Sequence, residues 1–227
     1  MTDNLTRLAD TFFNTKVMAQ YLPKIVEGFW VTVELALVVV VTGIAAGLAL
    51  ALLRTFRVKP VNALIVLTVD ILRALPPLVL IVLLYFALPT VGIKMSAFVA
   101  TWLALSLVLM AFSEEIFWAG IVAVPKGQWE AARSTGLDFT QTLTQVVLPQ
   151  AIRLTIPPLT NRTIAITKNT ALGAVVAVGE ILYQAQSAYS FSYNPSPLIL
   201  GSIAYLILFI PVVYFGRWVE TRFAWKR

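Results

Sequence analysis

Apolar residues run in long blocks along this chain, and the blocks set its expected elements. A helix needs about 20 predominantly apolar residues to cross a bilayer. Residues 28–53, 61–88, 97–124 and 198–218 meet that length, and a fifth block, 152–178, is interrupted by polar side chains. The first 24 residues hold Asp3, Arg7, Asp10, Lys16 and Lys24 and no apolar run. They are expected to form a short amphipathic helix on the membrane surface, with Leu8, Phe12 and Phe13 inward, and not a cleavable signal peptide. The pattern predicts an all-α membrane protein with five transmembrane helices. Residues 1–27 form its N-terminal interfacial segment, 28–222 the membrane domain and 223–227 a tail.

A polar stretch between the blocks 97–124 and 152–178 breaks the pattern. Glu130, Ala131, Ala132 and Arg133 are strong helix formers. Gly136 can take the left-handed conformation that ends a helix, with Asp138 placed to cap the next one. Leu148 and Pro149 close the stretch, and the proline either stops that second helix or opens the following one. A pair of short helices outside the membrane is predicted within a loop at 125–150.

Composition narrows the class. Of 227 residues, 59% are hydrophobic and only 12% charged, too few charges to cover a soluble globule of this size. No cysteine and no histidine occur, which excludes disulfides, zinc sites and thiol or imidazole catalysis. The net charge of +6 is read as basic loops facing the cytoplasm, not as a nucleic-acid surface. Arg54, Arg57 and Lys59 mark the first loop, Lys126 and Arg133 the third, and Arg217, Arg222, Lys226 and Arg227 the C-terminus. The second loop has only Lys94, and 183–197 has no charge. The N-terminus is therefore expected outside and the C-terminus in the cytoplasm. Within the loop 183–197 the stretch from Tyr183 to Tyr193, aromatic and polar, suits an outer interface, an external gate or a contact with a partner protein.

Charges inside the blocks call for reasons, because ionisable groups are costly in lipid. Asp70 and Arg73 sit three apart on one helix face. They are either a neutralised structural pair or part of a binding site. Pro76 and Pro77 follow, and a helix break there frees carbonyls, as transporters tolerate where a cavity is lined. Glu114 and Glu115 point about 100° apart on a helix, so one can face a path while the other packs. Lys168 lies fifteen residues beyond Arg153, about 22 Å along an unbroken helix. Asn161 and Lys168 serve either the path or interhelical hydrogen bonding in a dimer.

The stretch Glu130-Ala131-Ala132, three residues, Gly136, then Leu148-Pro149 resembles the EAA loop of ABC importer permeases, with Val146 where that loop has isoleucine. Residues 28–54, 71–86, 113–129 and 157–172 are similar to further segments of polar amino acid permeases. Two departures stand out, Trp118-Ala119 in place of Arg-Gly and Ala74-Leu75 in place of Gly-Thr. The resemblance implies a type I ABC importer permease fold in a bacterial inner membrane. Its implied partners are a cytoplasmic ATPase dimer, a second permease subunit, identical or related, and an extracytoplasmic amino acid binding protein. It implies that Glu130, Ala131, Ala132, Gly136, Leu148 and Pro149 couple to the ATPase. Glu115 matches the family's glutamate and, with Arg73, would meet the substrate's ammonium and carboxylate; Glu114 would favour cationic cargo. No Walker sequence is present, so ATP and magnesium are used by the partner, and this chain is expected to be no enzyme and to bind no cofactor. The competing reading is a proton-coupled carrier or channel using Glu114 and Glu115, which leaves the loop unexplained.

Overall fold

The computed structural model describes residue 8 and residues 10–223, and no strand occurs among them. Met1, Asp3, Arg7, Lys226 and Arg227 lie outside the described residues. Helix α1 (Thr15–Thr55) starts where the Asn14 side-chain oxygen accepts from the Lys16 and Val17 amides, both at 3.2 Å. It runs unbroken for 41 residues. Lys16 and Lys24 therefore ride on the long helix, which corrects the expectation of a separate surface helix over them. Propensity explains the continuity, since only Pro23 interrupts the first turns and no capping signal ends them. The helix ends at Thr55, and Arg57 just beyond it is left-handed, with φ 57°, without being a glycine.

Helix α2 (Lys59–Ala74) buries Ile65, Val69 and Leu72 on one face and exposes Leu64, Leu67 and Ile71 on the other. Its end is dictated by Pro76, which pushes Leu75 into an extended conformation (φ −83°, ψ 133°). Helix α3 (Pro77–Val82) follows, continued by a π turn (Leu83–Ala87) and a 3-10 turn (Leu88–Val91). The chain bends by 102° at the break. The block 61–88 is thus no straight helix, and the expected proline break is what divides it.

Helix α4 (Ala97–Ala123) coincides with the third block. Apart from Glu114 and Glu115 it is apolar on nearly every face, and Ala100, Ala104, Leu105, Val108 and Leu109 are buried, as a central helix should be. Helix α5 (Lys126–Ser134) and the short α6 (Phe139–Gln141) form the loop pair. A π turn (Thr142–Val147) leads into α7 (Leu148–Lys168) and a 3-10 segment (Asn169–Val176). Helix α8 (Ile181–Ser192) occupies the stretch expected to be a loop. Its helical signal lies in the buried Ile181, Ala185 and Ala188 and in the Glu180 cap on the Tyr183 amide, which a charge count overlooks. Helix α9 (Ser196–Phe223) exposes Leu206, Ile207, Ile210, Phe215 and Trp218, a surface suited to lipid. Among the described residues three helices are long and apolar enough to cross a membrane, or up to five spans if each bent pair counts as one.

The residues group into two units. One comprises residues up to 39, 77–105 and 167–213. Here the Thr32 hydroxyl donates to the Gly28 carbonyl (2.8 Å) and accepts from the Ile181 amide (3.2 Å). Any Cβ at Gly28 would stand 2.9 Å from the Glu180 backbone, so glycine is what allows α1 to approach. The other unit comprises 40–76, 106–166 and 214 onward. In it Ile121, Val124, Leu143, Val147 and Ala151 form a buried cluster, flanked by Leu52, Trp129 and Phe139. This cluster anchors the loop pair to the C-terminal ends of α1 and α4 and the N-terminal end of α7.

Candidate functional site

The loop pair is built from local chemistry. Helix α5 starts after Pro125 and ends at Thr135, whose amide reaches the Ala131 and Ala132 carbonyls (3.3 and 3.2 Å). Gly136 then takes φ +92°, and no atom lies within 4 Å of where a Cβ would stand. Backbone conformation, not space, therefore requires glycine. Asp138 caps α6 through a reciprocal box with Gln141: the Gln141 amide donates to Asp138 Oδ1 (2.8 Å), and the Asp138 amide to Gln141 Oε1 (3.0 Å). Ala132 faces the core, whereas Glu130 and Ala131 face outward. Leu148 is half-buried and Pro149 exposed in the first turn of α7, where its missing N–H falls beside the π turn. Of the two readings of Pro149, the one in which it opens the following helix holds.

A second site lies between α2, α4 and α7. Arg73, Phe112, Glu115, Pro158, Asn161 and Arg162 line a cleft of about 480 Å³. The Arg73 guanidinium pairs with Glu115 at 2.6 Å, while Asp70 stands at 3.9 Å. Arg73 is thus held by α4 more closely than by its own helix neighbour. The Glu115 side chain stays 47% exposed, so it can still meet a ligand. Arg162 lies flat over the Phe112 ring, 3.5 Å from its centre, and Arg73 is 5.3 Å from the same ring. Such stacking leaves a guanidinium's edges free to donate. Among the described residues Arg162 has no carboxylate within ion-pair distance.

The other candidates are placed elsewhere. Glu114 is fully buried, and Arg54 Nη1 donates to it at 3.0 and 3.4 Å. Arg54 also stacks over Trp118 at 4.5 Å. The Glu114 charge is therefore committed to joining α4 to α1. Asp70 is exposed beside Arg73. Lys168 is exposed at the last residue of α7, in the other unit. Arg162 escapes a reading that counts basic residues only in loops, yet an arginine inside an apolar block is itself the signal. Glu180 escapes it too: buried in the break before α8, it accepts from the Tyr183 amide and from the Tyr205 hydroxyl. No group of three potential metal ligands exists among the described residues.

Residues 43–225 match the family described as "Binding-protein-dependent transport system inner membrane component". A probable glutamine ABC transporter permease protein of Bacillus subtilis (strain 168) is 38% identical over 207 residues, 89% of this chain and 95% of its own length. An arginine transport system permease protein of the same organism is 30% identical, covering 88% of this chain and 93% of that protein. Among solved structures, a crystal structure of an amino acid ABC transporter with histidines superimposes with a TM-score of 0.82 at 31% identity. That match covers 90% of this chain and 96% of the other.

Proposed function

The chain belongs to the family of binding-protein-dependent transport system inner membrane components and is the permease of an ABC importer; on that premise we propose that it carries polar amino acids into the cytoplasm through the charged cleft. The glutamine and arginine named for two relatives support that cargo class. A zwitterion presents an ammonium and a carboxylate together. Glu115 receives the ammonium, and Arg162, stacked on Phe112 and without an acidic partner among the described residues, receives the carboxylate. Arg73 holds Glu115 in place, and Asn161 supplies a neutral polar contact. The carrying observation is this juxtaposition of one available carboxylate and one available guanidinium in a single cleft. Asp70 stands beside Arg73 at the cleft, and Glu114 acts by fixing α4.

Coupling runs through the loop pair. Helix α5 docks in a groove on a cytoplasmic ATPase dimer, which binds ATP and magnesium. Ala131 permits close approach and Glu130 offers a charged contact. A second permease subunit completes the path, and an extracytoplasmic binding protein delivers the amino acid. Counting both bent pairs as spans makes five, with the N-terminus outside and the C-terminus in the cytoplasm of a bacterial cell.

The test is transport and substrate-stimulated ATP hydrolysis in the assembled complex. Glu115→Gln and Arg162→Gln should each lower both. One charge-assisted hydrogen bond contributes about 1.5–3 kcal/mol, a roughly ten- to hundredfold effect. Wild-type transport in both variants at normal expression would leave these residues a structural role only.

A further inference from the structure

A larger cleft, of about 670 Å³, opens beside α5 and has two chemically different ends. Trp118 and Val122 form one end, on the last two turns of the spanning helix α4, backed by the buried Ile121. Val122 is 62% exposed although it belongs to an apolar span. Arg57, Lys126 and Arg133 line the cleft's other end, on the loops, opposed by the single acid Glu130. An aromatic wall also lines the cleft, built by Trp129 and Phe139, stacked at 5.7 Å, with Phe56 at 5.8 Å from Phe139. The Arg57 backbone adds a second signal. It is left-handed, with φ 57°, at a position where glycine would be the unstrained choice. A costly conformation kept by a charged residue points to a use for that charge.

The occupant must match both ends. A nucleotide could stack on the aromatic wall and meet the cations, but it has nothing for Val122 on the span. A free phosphate uses only the basic end. An anionic phospholipid uses both, since its headgroup meets cations clustered at the end of a membrane helix while its acyl chain follows the span. We infer that this cleft is a binding site for one anionic phospholipid, with the phosphate between Arg57, Lys126 and Arg133 and the acyl chain along Trp118 and Val122. Because Glu130, Lys126 and Arg133 belong to α5, a bound lipid would brace the loop helix against the membrane.

Tryptophan quenching in the permease assembled with its ATPase tests this. The complex is placed in phosphatidylcholine vesicles containing phosphatidylglycerol, with brominated chains on one lipid or the other at equal mole fraction. The share of quenching due to Trp118 and Trp129 is taken by difference from Trp118→Phe and Trp129→Phe. Brominated phosphatidylglycerol should quench that share more strongly than brominated phosphatidylcholine. The preference should fall about fivefold for each cation removed, as surface cations contribute to binding anionic lipid. Arg57→Gly is the mildest variant, because glycine fits the left-handed backbone, and Arg57→Gly/Lys126→Gln extends the series. Equal quenching by the two lipids overturns the inference, as does a preference unchanged in the charge variants. Relief of quenching by millimolar inorganic phosphate or magnesium-ATP would assign the site to a soluble phosphate compound instead. Quenching seen only without the ATPase would assign the cleft to the subunit interface and overturn the lipid reading equally.

Discussion

Cutting the ion pair between Arg54 and Glu114 should cost more from one side than from the other. Glu114 is 0% exposed and Arg54 21%, and their closest atoms are 3.0 Å apart. Arg54→Met leaves a fully buried carboxylate without its cation and removes the stacking on Trp118. Breaking a buried pair in this way costs about 3–5 kcal/mol. Glu114→Gln is milder. The amide oxygen can still accept from Arg54, and the guanidinium retains a route to solvent, so the loss is that of a charge-assisted bond, about 1.5–3 kcal/mol. The double variant Arg54→Met/Glu114→Gln has no stranded charge and should recover much of the Arg54→Met loss. A double-mutant cycle, read by SDS unfolding of the permease in mixed micelles, isolates the coupling. At least about 2 kcal/mol is expected, well outside the 0.3–0.5 kcal/mol within which independent sites add. Additive single variants, or an Arg54→Met loss no larger than that of Glu114→Gln, would refute the claim that Glu114 is committed to a structural pair.

Two further outcomes rest on glycine geometry and a third on the charge distribution of the loops. Gly136→Val meets no steric neighbour but must adopt φ +92°, a strain of about 1–3 kcal/mol; the loop should shift so that ATP hydrolysis continues while transport falls, and wild-type transport would count against a coupling role. Gly120→Val drives a side chain into Thr155 and the Ala151 backbone, so folded yield should drop and Thr155→Ala should restore part of it; full yield in the single variant would mean that α4 and α7 are free to separate. A tag at Met1 should be labelled from outside and one at Arg227 only from the cytoplasm; labelling of both on one side would remove the five-span topology.

Local chemistry made the loop pair legible. Gly136, Asp138 and the run from Glu130 act on neighbours a few residues away, so type and spacing alone predict a helix end and a helix start. The same holds for the break at Pro76, where a missing N–H acts on adjacent residues. Block length alone placed α4, because a largely apolar helix needs no particular partner to be recognised.

Pairing between distant residues was decided by tertiary structure. Asp70 is the near neighbour of Arg73 in sequence, yet Glu115 takes its guanidinium, because the packing of α2 on α4 brings that carboxylate closer. Glu114 and Glu115 look alike along the chain. They part only because the close approach of α1 at Gly47, where a Cβ would stand 2.5 Å from Ser113, brings Arg54 over Glu114 and leaves Glu115 open to the cleft. Arg162 acquires its role from Phe112 on another helix, and Glu180 from Tyr205. Helical periodicity states which way a side chain points; which group it meets there depends on how helices far apart in sequence pack, and one chain's pattern does not encode that directly.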